Sequence, residues 1–157
     1  VRSAWLYGTH GSNFVRTISR LYRENGTLTV VDDQRGQPTW TLDLAEQIVQ
    51  LLGVEYRKGI LHFTNTGSTT WFGFAQAIVE NLGGDLASVH PTDTAHFPRP
   101  AKRPANSVLA FDGEHMSGLP AMRPWRAALD AEAGVIRVEL AVELRLPGAQ
   151  AKWSNDA

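Results

Sequence analysis

Three cations braced by prolines are the most chemically specific feature of this sequence. In Arg99-Pro100-Ala101-Lys102-Arg103-Pro104-Ala105-Asn106-Ser107 the proline rings restrict the backbone, which lowers the entropy lost when a ligand is gripped. A planar guanidinium meets phosphate oxygens two at a time, so a diphosphate is the ligand that suits this cluster. A solvated surface is the plain alternative. Other groups could complete a binding site. Trp5, beside the end of an apolar run, offers a flat ring with an N–H handle that could pack on a sugar, or it is a core aromatic. Asn13 is placed to cap a helix whose free N–H groups would face an anion, with Phe14 beside it. Gln37-Pro38-Thr39-Trp40 puts an amide, a rigid turn, a hydroxyl and an indole within four residues, suiting either a turn into a helix or contacts to a nucleobase or sugar.

Several catalytic arrangements are missing. The histidines (His10, His62, His90, His96 and His115) have no zinc-ligand spacing. Asp32-Asp33 reads as turn chemistry rather than a carboxylate pair. No phosphate loop of the G-x-x-x-x-G-K-[ST] type occurs. Gly8-Thr9-His10-Gly11 imitates the first two glycines of a dinucleotide fingerprint, but Phe14 stands where the third would be. No tyrosine is followed four residues later by lysine. Catalytic machinery is therefore expected outside these residues.

The 157 residues carry a net charge of −1 and are 43% hydrophobic, enough to bury a core. That balance argues against a nucleic-acid or membrane-surface partner held by bulk charge. The absence of cysteine excludes disulfides and thiol chemistry. No apolar run reaches the roughly 18 residues that span a bilayer, and no signal segment opens the chain, so a soluble, cytoplasmic protein is expected.

The elements that must position these groups alternate between strand and helix. Ala4 to Tyr7 reads as a buried strand closed by Gly8. A helix capped by Asn13 turns Phe14, Ile18 and Leu21 inward and stops at Asn25-Gly26. Leu28 to Val31 is a second strand. Thr41 caps a helix with Leu44, Ile48, Leu51 and Leu52 inward, and Ile60 to Thr64 is a third strand. After a turn at 65–68, Thr69 or Thr70 caps a helix carrying Trp71, Phe74, Ala75, Ile78 and Leu82. Residues 91–124 hold six of the eight prolines and read as an irregular, function-bearing surface segment. Residues 135–146 alternate apolar and polar side chains, the signature of a strand. The order βαβαβα marks an α/β fold with parallel strands and helical crossovers.

Taken together, Arg2-Ser3-Ala4-Trp5-Leu6-Tyr7-Gly8, Asn13-Phe14, Val31-Asp32-Asp33-Gln34-Arg35-Gly36-Gln37-Pro38-Thr39 and the proline-braced segment 98–107 resemble, in order and spacing, the C-terminal half of the dTDP-4-dehydrorhamnose reductase family. These are extended short-chain dehydrogenase/reductases. The resemblance covers residues 1–129 and sets 130–157 apart as an atypical tail. It implies the C-terminal part of a Rossmann-type NDP-sugar reductase plus a small substrate-binding subdomain. It further implies reduction of dTDP-4-dehydro-L-rhamnose to dTDP-L-rhamnose by NADPH or NADH, with a Tyr-x-x-x-Lys pair lying before Val1 and these residues inactive alone. Carried over by position, Trp5, Asn13, Phe14, Gln37, Thr39, Arg103 and Asn106 would contact the dTDP-sugar, and Ser3 and Ala4 the cofactor. The family brings Mg²⁺, for which no site is marked here, and allows a homodimer. Ser3-Ala4 departs from the family's Thr-Ser, removing one hydroxyl near the cofactor. Two rival readings share the fold: a non-catalytic regulatory subunit of methionine adenosyltransferase, and another NDP-sugar reductase or epimerase.

Overall fold

The computed structural model describes residues 1–55, 59–96, 101, 103–110 and 118–143, the last nine of these as backbone only. Its strands are short and pair two by two. β1 (Leu6–Tyr7) runs parallel to β4 (Thr39–Trp40), and β2 (Leu28–Val31) parallel to β7 (Val89–Thr92). β3 (Arg35–Gly36) lies antiparallel to β6 (Thr69–Thr70), while β5 (Asn65–Thr66) runs parallel to β8 (Met122–Pro124). Among the described residues four α-helices join them: α1 (Phe14–Asn25), α2 (Thr41–Leu52), α3 (Trp71–Asn81) and α4 (Trp125–Glu143). This is the expected mixture of parallel strands and helices.

Local chemistry sets the helix ends. Asn13 Oδ1 accepts from the Arg16 N–H at 3.1 Å while its Nδ2 donates to Gly8 O at 2.8 Å, so one amide caps α1 and ties it to β1. Gly26 closes the helix in the left-handed region at φ 68°, donating to Tyr22 O at 2.9 Å. Thr70 caps α3, accepting from Gly73 N–H at 3.1 Å and donating to Asp32 at 2.5 Å. α2 differs from expectation. Trp40 occupies its cap position without a side-chain bond, and Thr41 is its first helical residue. Leu51 faces inward at 6% exposure, but Leu52 is 79% exposed, because two consecutive helical positions cannot share one face.

The third strand is also displaced. Between 60 and 64 the only ladder contact among the described residues is a bridge from His62 to Arg2, and regular pairing begins at Asn65. β7 and β8 fall within or beside the proline-rich stretch read as irregular. Pro91 is tolerated in β7 because, among the described residues, β7 pairs only with β2 and so has a free edge. The tail correction is larger: 135–143 continues α4 rather than forming a strand. Alanine, leucine, glutamate and arginine are good helix formers, and no glycine or proline follows Gly134 until Pro147. Residues 144–146 of that expected strand lie outside the described residues.

Two apolar clusters result. The larger joins α1, α3, α4 and β2 through Ile18, Val30, Phe74, Ile78 and Leu129; the smaller packs Leu51, Leu61, Phe63, Leu119 and Met122. Between them runs a buried polar link. Asn65, fully buried, accepts from Trp40 N–H at 2.9 Å and donates to Asp43 at 2.7 Å and to Arg123 O at 3.1 Å. Asp43 also receives Arg123 at 2.6 Å, whose guanidinium lies 5.5 Å from the Trp40 ring centre. The network joins α2, β4, β5 and β8.

Tyr7 lies against Phe74 at 1% exposure, and its hydroxyl has no hydrogen-bond partner among the described residues. Burial, then the nearby Glu132 and Asp43 carboxylates, push the phenol well above its ordinary pKa. The folded state thus resists tyrosinate. Its stability is intact below the ordinary phenol pKa, about 10, and erodes as pH rises above it, by up to about 1.4 kcal/mol per pH unit. Tyr7→Phe should be at least as stable as the parent at pH 7 and should flatten that alkaline slope. Urea midpoints between pH 8 and 11 check this; an unchanged slope contradicts it.

Candidate nucleotide-sugar site

A cavity of about 740 Å³ opens between α1, β2 and the loop after residue 101, within the range of small-molecule sites. One wall is aromatic. Trp5 stacks on Trp71 with ring centres 3.6 Å apart and planes 9° from parallel; Phe14 packs on Trp71 at 4.4 Å and on Phe74 at 5.4 Å. Thr17, Ile18, Leu21, Val31 and Gln34 continue the lining, and Arg103, Pro104 and Ser107 contribute to it from the proline-braced segment.

Trp5 reaches this position through an unusual backbone. It is the only described residue other than glycine with positive φ, at 47°, a conformation costing roughly 1–2 kcal/mol for an L-residue. It therefore precedes the strand instead of lying in it, as the apolar run had suggested. Three contacts offset the strain: Trp5 O accepts from Thr39 N–H at 3.1 Å, Trp71 covers one ring face, and Gly36 leaves room for the ring. A Cβ on Gly36 would stand 2.3 Å from the indole.

The sequence-derived site residues separate into two groups. Ala4, Trp5, Phe14 and Arg103 line the cavity. Asn13, Gln37, Thr39 and Asn106 are not in its lining, and each has a local task. Asn13 caps α1. Gln37 is buried and its Oε1 accepts from Leu109 N–H at 2.8 Å. Thr39, fully buried, donates its hydroxyl to Gln37 O at 3.3 Å. Asn106 accepts from Val108 N–H at 3.0 Å and bridges Arg35. These residues shape the frame around the cavity. Arg99 and Lys102 lie outside the described residues. Ser3 has a buried hydroxyl with no partner among the described residues.

Sequence reasoning passed over Gln34 and Trp71. Trp71 sits at the first position of a capped helix, where an apolar residue reads as core. Gln34 follows an aspartate pair and reads as turn. Neither carries a local signal that points to a cavity.

For charge, Arg103 is exposed at the rim and makes no ion pair among the described residues, leaving its fork available to an anion. Those residues contain no group of three or more His, Asp or Glu side chains able to hold a metal ion. No described helix is long and apolar enough to cross a membrane.

Because Gly36 and Trp5 share one space, Gly36→Ala should expel the indole from its stack on Trp71. A loss of about 2 kcal/mol in stability is expected, with a red shift in tryptophan emission. Unchanged emission and an unchanged unfolding midpoint would show that the ring is not held there.

Residues 1–135 match the family model described as the RmlD substrate binding domain. A probable dTDP-4,6-dihydroxy-2-methyloxan-3-one 4-ketoreductase of Streptomyces antibioticus is 49% identical over 129 residues, covering 82% of this chain and 44% of the relative. A dTDP-4-dehydrorhamnose reductase of Streptomyces griseus is 48% identical over 133 residues, with the same coverage of 82% and 44%. A dTDP-4-dehydrorhamnose reductase of Bacillus anthracis, solved with NADP, superposes with a TM-score of 0.77 at 36% identity, covering 83% of this chain and 46% of that one. The chain thus spans somewhat less than half the length of these relatives. The match over residues 1–135, most of its length, places this chain in the RmlD substrate-binding-domain family.

Proposed function

We propose that these residues are the sugar-nucleotide cradle of a cytoplasmic dTDP-4-dehydrorhamnose reductase, which reduces dTDP-4-dehydro-L-rhamnose to dTDP-L-rhamnose. The observation that carries this reading is the cavity itself, which joins the Trp5–Trp71–Phe14 wall to Arg103 across about 740 Å³. An apolar wall suits the faces of a deoxysugar and a base, and a guanidinium suits the diphosphate between them.

Each residue then has a defined task. Arg103 neutralises the diphosphate and fixes the register of the ligand. Trp5 and Phe14 exclude water from the sugar end, and Trp71 keeps the indole of Trp5 in place. The rigid frame from Gln37, Thr39, Asn13 and Asn106 holds these groups at fixed spacing, so the ligand meets a preformed site. Ser3 and Ala4 would stand against the nicotinamide, and the Ser3 hydroxyl, without a partner among the described residues, fits a polar group of that ring. When bound, the reduced nicotinamide supplies the hydride. The proton donor is assigned to a tyrosine with its lysine outside these residues, since no Tyr-x-x-x-Lys pair occurs within them.

A second substrate has specific support. The 49% identical relative is named as a 4-ketoreductase of a different dTDP-deoxysugar. Both readings place a carbonyl at sugar C4 and share the cradle.

Removing the guanidinium should weaken thymidine diphosphate about tenfold or more, since a charge-assisted contact contributes roughly 1.5–3 kcal/mol. Isothermal titration of the full chain and Arg103→Ala tests this. Equal affinity in both, or no binding by the parent, contradicts the cradle. With full-length reductase, turnover of the two 4-keto sugars with NADPH decides between the substrates.

A further inference from the structure

Gln34 lines the cavity, and its orientation is fixed by a chain of hydrogen bonds that ends on a carboxylate. Asp33 accepts at both oxygens: Oδ1 from the Thr94 hydroxyl at 2.8 Å and Oδ2 from the Thr94 N–H at 2.9 Å. A carboxylate only accepts, so the single hydroxyl proton of Thr94 is committed to Asp33. Thr94 Oγ1 is left as an acceptor. Gln34 must therefore present its NH₂ to it, and Nε2 donates there at 2.9 Å. The amide cannot flip without placing two acceptors face to face. Its Oε1 has no partner among the described residues, and Nε2 keeps a second hydrogen.

The cavity is thus lined by a residue with one acceptor and one donor of settled polarity, on a side chain only half-buried. Ile18, Leu21 and Val31 add apolar surface to the same lining, beside the hydroxyls of Thr17 and Thr29. An imide edge carries the complementary pair, an N–H beside a carbonyl. The apolar neighbours suit a ring face and a ring methyl group.

From this geometry we infer that Gln34 reads the base of the ligand, accepting from the N3–H and donating to a carbonyl of a thymine-type pyrimidine, and that Asp33 and Thr94 are positioning residues that hold the amide in that sense. The inference rests on the nucleotide-sugar reading above and extends it to the base. It also moves base contact from Gln37, whose Oε1 is already taken by Leu109 N–H, to Gln34.

Calorimetric titration of the full chain with thymidine diphosphate and with inorganic pyrophosphate tests it. Gln34→Glu replaces the donor with an acceptor at nearly constant shape. It should weaken thymidine diphosphate about tenfold or more and leave pyrophosphate within about twofold. Thr94→Val frees the amide to rotate and should weaken thymidine diphosphate by a smaller factor, about threefold, with pyrophosphate again unchanged. Gln34→Leu, which keeps the volume, guards against a misfolded variant and should match Gln34→Glu in direction. If Gln34→Glu and Gln34→Leu bind thymidine diphosphate like the parent while Arg103→Ala does not, base reading by Gln34 is overturned and the cradle stands. Equal losses for pyrophosphate and nucleotide would make Gln34 a scaffold residue and also overturn the inference. Failure of the parent chain to bind thymidine diphosphate would overturn both readings together.

Discussion

The site depends on one indole kept in a backbone conformation that its own side chain disfavours. Trp5 sits at φ 47°, and nothing local rewards that choice, since neither glycine nor asparagine occupies the position. The compensation comes from distant parts of the chain: the Thr39 N–H on its carbonyl, the bare Gly36 beside its ring, and Trp71 at the start of α3. Strain held by tertiary contacts is typical of ligand sites, because a residue over-determined by its surroundings does not relax when a ligand arrives. Trp5 therefore keeps its place only while the segments 35–40 and 69–73 hold theirs. The cavity is a product of the whole domain rather than of any single motif.

Much of the frame was legible in the amino-acid order. Asn13, Gly26 and Thr70 announce helix ends by side-chain chemistry, and the run Leu28–Val31 is β-branched enough to read as a strand whose bounds coincide with those observed. The family resemblance was legible as well, through four ordered motifs. What the order of residues concealed follows from competition between local and distant forces. Alternation over 135–146 has the strand period, yet helix propensity with no breaker carries α4 through it to Glu143. β7 and β8 are named by their partners β2 and β5, and no periodicity within four residues or fewer can reveal a partner. In the site, Trp5, Phe14 and Arg103 could be named because their chemistry is distinctive. Gln37, Thr39 and Asn106 carry equally suggestive groups, but the fold uses their hydrogen bonds internally. Sequence states which groups are present; only the structure states which are already engaged.

That engagement is a general feature of the molecule. With strands only two to four residues long, ladders can satisfy few backbone groups, and side chains take over. Asn13 serves Gly8 and Arg16, Gln37 serves Leu109, Asp33 serves Thr94, Asp85 serves Ala87, and Asn65 serves Trp40 and Arg123. Such stitching lets irregular chain be buried without leaving polar backbone groups stranded.

It also alters what counts as a conservative exchange. At position 65 the oxygen accepts and the nitrogen donates, the latter directly toward the carboxylate of Asp43 at 2.7 Å. Aspartate would match asparagine atom for atom in outline, yet would set one anion against another in the interior, with Arg123 alone to reconcile them. A single-base change that preserves silhouette would thus tip the local charge from balanced to negative. In a protein tied together by amides, inheritance must conserve where the hydrogens are as well as the volumes they occupy.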